Sequence, residues 1–124
     1  TTDPPLEHLE AVADRKEVLA AIEAARAVYV EESVGRYVVM LLHHTRESSR
    51  LALGASPRAG IALLRMAKAR AVARGRDYAV PEDVAAVAVP VLEHRLIVAP
   101  EARAAGVTGA EVVREALERT PVPS

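Results

Sequence analysis

The chain has 124 residues, no cysteine and a formal net charge of −1; one domain with a modest core is expected, and disulfides, cysteine-ligated zinc and thiol chemistry are excluded. Aromatic residues make up 2% of it, with Tyr29, Tyr37 and Tyr78 but no Phe or Trp, so the core has to be built from Leu, Val, Ile and Ala, a mix that suits closely packed helices. A near-neutral chain has no bulk electrostatic reason to seek nucleic acid or an anionic membrane, no apolar run approaches the roughly 18 residues of a spanning helix, and a reducing, cytoplasmic setting is the default for a chain without cysteine.

The opening Thr1-Thr2-Asp3-Pro4-Pro5 carries no Met and no signal-peptide pattern. Residues 1–13 read as a linker out of something longer, ahead of a helical domain over 14–124. A first helix runs from about Arg15 to Val28: Asp14 and Glu17 form a capping-box-like start, and Val18, Ile22, Ala25 and Tyr29 make one stripe. A second runs from about Glu32 to Arg46, with Val34, Val38, Leu41 and Thr45 on one face and Glu31-Glu32 suited to its N-terminus.

After the polar break Glu47-Ser48-Ser49-Arg50 comes the best-defined start. Ser56 is a good N-cap, Pro57 is pre-organised for the first helical position, and Gly75 fits the left-handed position just past an end at Arg74. This third helix is expected to bury Ile61, Leu64, Ala67 and Ala71. A fourth starts at Pro81 with Glu82-Asp83 in its first turn and reaches about His94, although Pro90 must kink or shorten it. A fifth begins at Thr108, three residues before Glu111, and ends at about Arg119, before Thr120-Pro121. The β-branched pieces at 28–30 and 78–80 could pair as a tiny two-strand ladder. The fold class is all-α, a small bundle of about five helices.

Most catalytic chemistry lacks its parts. There is no Gly-rich phosphate loop ending in Gly-Lys-Ser/Thr and no apolar strand ending in magnesium-binding acids, so this chain alone assembles no ATPase site and is not an enzyme by itself. His43 and His44 are adjacent, hence about 100° apart on a helix, and do not share a metal as an i, i+4 pair would; no metal site is expected. His94-Arg95 suits the carbonyls at a helix end. Glu31-Glu32 and Glu82-Asp83 could suggest acid/base work, but dipole complementarity at two helix starts accounts for them. Arg65, Lys68, Arg70, Arg74 and Arg76 could suggest a nucleic-acid stripe, yet it lacks stacking aromatics, and a solvated or domain-facing surface is the plainer account.

Arg58 differs. It stands in the first turn of a helix, where the backbone dipole is already positive and favours anions over cations. The unpaired N–H groups of that turn and a guanidinium together suit a phosphate oxygen, and Gly54, Ala55 and Ala59 would let a bulky ligand or another domain come close.

The stretches "LGASPRAGIALLRMAKARAVARGRDYAVPEDV" and "VLEHRLIVAPEARAAGVTGAEVV" resemble the C-terminal lid of the MoxR-type AAA+ ATPases, over about Asp14 to Val122 and most strongly from Leu53 to Leu96. The resemblance implies a small helical bundle following an α/β ATPase core, with residues 1–13 as the linker from that core. It makes Arg58 the sensor-2 arginine, with Ser56 and Pro57 forming its turn, and supplies the anion as the terminal phosphate of ATP, whose magnesium the core would hold. It further implies a ring-forming, hexameric, chaperone-like parent with von Willebrand factor A-type partners. Two departures from the family pattern, Val80 where a capping Thr is usual and Pro90 about one position out of place, bear on the start and course of the fourth helix. An alternative is a stand-alone binding module of histone-like type, since "GRDYAVPEDVAAVA" also resembles the segment leading into the last helix of histone folds, but a DNA-wrapping histone should be strongly basic.

Overall fold

The computed structural model describes residues 14–123; the linker expected over residues 1–13 lies outside the described residues. Helix α1 (Arg15–Arg26) opens on the expected capping box, the Asp14 carboxylate accepting the Glu17 N–H at 2.8 Å and the Glu17 carboxylate accepting the Asp14 N–H at 3.3 Å. Strand β1 (Tyr29–Val30) leads into α2 (Glu32–Glu47), and β2 (Leu51–Leu53) into α3 (Pro57–Ala73). Strand β3 (Tyr78–Ala79) precedes α4 (Pro81–Leu92), and β4 (Ile97–Val98), α5 (Pro100–Ala104) and α6 (Gly109–Arg119) complete the order.

The bundle core lies between α2, α3, α4 and α6. The expected α2 face is fully inside: Val34, Val38, Leu41 and Thr45 are all buried. It meets Ala59, Leu63 and Ala67 of α3, Val84, Ala88 and Leu92 of α4, and Val112, Val113 and Ala116 of α6. Alanines at the contact lines let helix axes approach closely, which is how a nearly aromatic-free sequence fills its interior.

Helix α3 buries Ala67 and Ala71 as expected, but not Ile61 or Leu64. Leu63 is 0% exposed whereas Ile61 is 54% exposed, and Leu64 is only partly buried; in the first half of the helix the buried positions are Ala59, Gly60 and Leu63 instead. The reason is size. Ala59, Gly60, Leu63, Ala67 and Ala71 form the slimmest line along α3, and a Cβ added at Gly60 would already meet Leu42 Cδ1 at 2.9 Å. Leu63→Ala is therefore expected to cost about 2 to 5 kcal/mol, and Ile61→Ala less than about 1 kcal/mol, as read by urea unfolding; equal effects would contradict this orientation.

The first helix forms over Arg15–Arg26 but stays at the surface. Its stripe does not enter the core: Val18 is 48% and Ile22 45% exposed, and α1 contains no buried residue. Helices α2, α3, α4 and α6 close the core without it, so α1 lies along the outside of α3. Only the chain just beyond it goes inward, Val28 packing with Ala71 and Ala79 in a small second cluster.

Two short ladders tie the helices together. The expected pairing of 28–30 with 78–80 exists as a parallel ladder, with Tyr29 opposite Tyr78 and Val30 opposite Ala79. A second, antiparallel ladder pairs Leu51 with Val98 and Leu53 with Ile97. Helix α3 ends as read, on Gly75 at φ +77°, with the Gly75 N–H reaching the Val72 carbonyl and the Arg76 N–H the Ala71 carbonyl, each at 2.9 Å. That double bond pattern closes a helix end and needs a left-handed residue. Helix α4 stops at Leu92, short of the expected His94, and tightens into a 3₁₀ turn over Glu93–Arg95. Pro90 lacks the N–H that would bond the preceding turn and is exposed, so water can serve the freed carbonyl. Helix α6 begins as expected, with the Thr108 hydroxyl accepting the Glu111 N–H at 3.2 Å.

Candidate functional site

The turn that opens α3 is fastened to the last turn of α2. The buried Thr45 hydroxyl donates to the Leu42 carbonyl at 2.7 Å and accepts the Ala55 N–H at 3.1 Å. The neighbouring Arg46 guanidinium donates to the Ala55 carbonyl at 3.4 Å, so both backbone groups of Ala55 are held by α2. Gly54 lies so close to that helix that an added Cβ would meet Arg46 Cα at 2.7 Å. The small residues here thus serve the chain's own packing rather than admitting a ligand: Ala55 and Ala59 are 0% and 2% exposed, and Gly54 abuts Arg46.

From this base Ser56 caps α3, its hydroxyl accepting the Ala59 N–H at 3.4 Å, and Pro57 takes the first helical position. Arg58 follows at the second. It is exposed, and neither its N–H nor its guanidinium has a hydrogen-bond or ion-pair partner among the described residues. The site is therefore a rigidly placed turn presenting a cation and a helix N-terminus outward, both able to accept one anion. Thr45→Val is expected to leave the Ala55 N–H buried without a partner and to cost about 1 to 3 kcal/mol, measured by thermal unfolding; a change below about 0.5 kcal/mol would mean that the hydroxyl does not hold this turn.

The opposite end of α3 carries an ionic cluster that the local reading missed. Asp83 is 0% exposed, with Arg70 Nη1 at 2.6 Å from Oδ1 and both terminal nitrogens of Arg76 at 2.7 Å, one on each oxygen. Oδ2 also accepts the Val80 N–H at 2.8 Å, which caps α4 from within and removes the need for a polar side chain at Val80. Burial alone pushes the Asp83 carboxyl up, but hydrogen bonds from Arg76, the Val80 N–H and Arg70 outweigh it and hold the group down at about 2. Arg70 and Arg76 are thus structural partners, not part of a solvated stripe. Two arginines spaced around Gly75 and followed by an acid at the third position of the next helix were the available signal.

The remaining candidates are structural or exposed. Arg65 and Lys68 border an open groove with Ile22, Ala25 and Arg26. His43 lies 3.3 Å from Glu47, and His44 Nδ1 is 2.7 Å from the Thr120 hydroxyl. Arg95 donates to the Val91 carbonyl at 2.6 Å, satisfying a helix-end carbonyl as expected. Among the described residues no group of three or more His, Cys, Asp or Glu side chains could hold a metal ion, and no helix is long and apolar enough to cross a membrane.

Comparison with known proteins agrees with this architecture. The AAA lid domain family matches residues 43–116. The uncharacterized protein YeaC of Bacillus subtilis is 34% identical over 119 residues, covering 96% of this chain and 37% of YeaC. Chaperone MoxR1 of Mycobacterium tuberculosis is 33% identical over 116 residues, covering 86% of this chain and 31% of MoxR1. A crystal structure of a candidate ATPase from Cytophaga hutchinsonii superposes with a TM-score of 0.82 at 34% identity, over 88% of this chain and 36% of that one. The chain belongs to the AAA lid domain family, as the lid of a MoxR-type AAA+ ATPase. It spans about a third of the length of these two relatives.

Proposed function

We propose that this lid senses the nucleotide held by an ATPase core in the same polypeptide, with Arg58 as the sensor-2 arginine on the terminal phosphate of ATP. The observation that carries the reading is the exposed Arg58 in the first turn of α3, without a hydrogen-bond or ion-pair partner among the described residues and set on a turn that Thr45 and Arg46 fasten to the bundle. An anion there would meet the guanidinium and the Arg58 N–H together. Ser56 and Pro57 shape the turn, and the core holds the magnesium. Because the turn is fixed to the bundle core, loss of the terminal phosphate releases the lid as one body rather than loosening a single side chain.

In this reading the parent hydrolyses ATP in a hexameric ring, acts as a chaperone-like factor on von Willebrand factor A-type partners and works in the cytoplasm. The chaperone name of MoxR1 supports that role. The test uses the full-length protein with one label at Glu118→Cys, a site exposed near the end of α6, and a second on the core. The label separation is expected to differ between the ATP and ADP states and to lose that difference in Arg58→Ala. Identical separations in both states of the otherwise unaltered protein would overturn the proposal.

A further inference from the structure

Helix α1 lies along α3 with its apolar stripe uncovered among the described residues: Val18 and Ile22 are about half exposed, and no residue of the helix is buried. Beside the stripe, Ile22, Ala25 and Arg26 line a groove of about 480 Å³ together with Arg65 and Lys68 of α3.

This groove is cationic. No acid is among its lining residues, and α3 carries no acidic side chain along its whole length. The two acids of α1 are both engaged, Glu17 in the capping box and Glu23 with Arg26 at 3.8 Å. Arg65 and Lys68 have no ion-pair partner among the described residues. A matching occupant therefore combines apolar side chains with carboxylates, since a basic one would meet like charge.

The chain itself supplies such a segment. Residues 1–13, outside the described residues, contain Asp3, Glu7 and Glu10 and no Lys or Arg, with Leu6, Leu9 and Val12 at three-residue spacing. In an extended polyproline-type course, to which Pro4-Pro5 inclines the chain, that spacing puts the three apolar side chains on one side and Glu7 with Glu10 on the next. From Leu6 to Val12 such a course covers about 19 Å, against about 18 Å for the 12 residues of α1. The segment joins α1 directly at Asp14. An apolar residue just before a capping box, here Ala13, commonly packs on the fourth helical residue, here Val18, and so sets the angle at which the chain enters. A short tether also gives the segment a high effective concentration at the groove, which favours it over a separate acidic chain.

We propose that residues 1–13 form a strap seated back along α1, with Leu6 and Leu9 on Ile22 and Ala25, and with Glu7 and Glu10 paired to Arg65 and Lys68. The proposal does not depend on nucleotide sensing. Charge complementarity carries it, together with the matched length and spacing of the segment that enters α1.

The test is nuclear Overhauser spectroscopy of the isotope-labelled 124-residue chain at low ionic strength. Methyl contacts between Leu6 or Leu9 and Ile22 or Ala25 are expected. Arg65→Gln combined with Lys68→Gln should lower the ratio of seated to free strap about 2- to 30-fold, the sum of two exposed ion pairs, as read from the chemical shifts of residues 6–12. Salt at about 1 M should act in the same direction. Leu6→Ser combined with Leu9→Ser should abolish the seating and shift the amide resonances of residues 22–26 and 65–68, which keeps the test decisive if the groove variant perturbs α3. Absence of the contacts, or shifts of residues 6–12 that ignore both the groove variant and salt, would overturn the proposal. Contacts seen only between chains, in a mixture of labelled and unlabelled protein, would make a second copy the occupant and overturn it equally.

Discussion

Asp83→Asn is expected to cost this domain about 2 to 4 kcal/mol, because removing one member of a buried ion cluster strands the others. The side chains of Arg70 and Arg76 retain 28% and 21% exposure, so water takes up part of the lost pairing and the effect falls short of the most severe cases. The loss also has a pH signature. The carboxyl titrates at about 2 in the folded chain against an ordinary 3.8, so in the acid range the unfolded chain binds the extra proton. The stability it contributes is complete above the ordinary value and disappears as the pH falls from about 5 toward 2, a swing of about 2 kcal/mol. Urea unfolding at several pH values should show this slope in the unaltered chain and a flatter one in Asp83→Asn. A loss below about 1 kcal/mol at neutral pH, with the acid slope intact, would contradict the assignment.

Arg58→Ala is expected to lower ATP turnover of the full-length protein roughly tenfold to a thousandfold, at or below the low end of the 10³ to 10⁵ ascribed to arginine fingers. A guanidinium on the terminal phosphate stabilises charge that shifts during transfer. Arg58→Lys should recover only part of the rate, since a point charge lacks the planar two-pronged donor set. Folding should be nearly unaffected: Arg58 is exposed and makes no side-chain hydrogen bond or ion pair among the described residues, so both variants should stay within about 0.5 kcal/mol of the parent. Steady-state hydrolysis and thermal unfolding of the same preparations separate the two effects. Unchanged turnover in a folded Arg58→Ala protein would remove the sensor role and leave a well-capped helix start.

The helices were legible where the sequence carries punctuation with a local cause. Asp14 with Glu17, Ser56-Pro57, Gly75 and Thr108 each solve a hydrogen-bonding problem at a helix end within three residues, and each fell where it was read. The β1–β3 ladder was legible because Val28-Tyr29-Val30 and Tyr78-Ala79-Val80 are β-branched or aromatic pieces between helices. Orientation was less legible. In α3, apolar residues such as Ile61, Leu63, Leu64 and Met66 surround the axis, so period alone does not choose a face, and packing chose the line with the smallest side chains. Helix α5 and the β2–β4 ladder escaped because five residues and two short apolar pieces carry too little pattern. The Asp83 cluster escaped for another reason: its acid had a sufficient local explanation at the α4 start, and only the packing of α3 against α4 brings Arg70 onto it. At the candidate site, the Ser56-Pro57-Arg58 turn was visible, but its fastening by Thr45 and Arg46 was not, since that contact joins different helices.

The two ladders interleave along the chain. One joins Tyr29 to Tyr78 and the other Leu51 to Val98, each closing a loop of about 50 residues at an entropic cost on the order of 3 kcal/mol. Two or three paired residues return little more than that, so neither closure can precede the packing of the helices it encloses. The loops overlap from 51 to 78, the stretch that contains all of α3. Any break of the chain within α3 therefore opens both at once, and neither fragment inherits a complete closure. The lid must therefore fold, and unfold, as a unit.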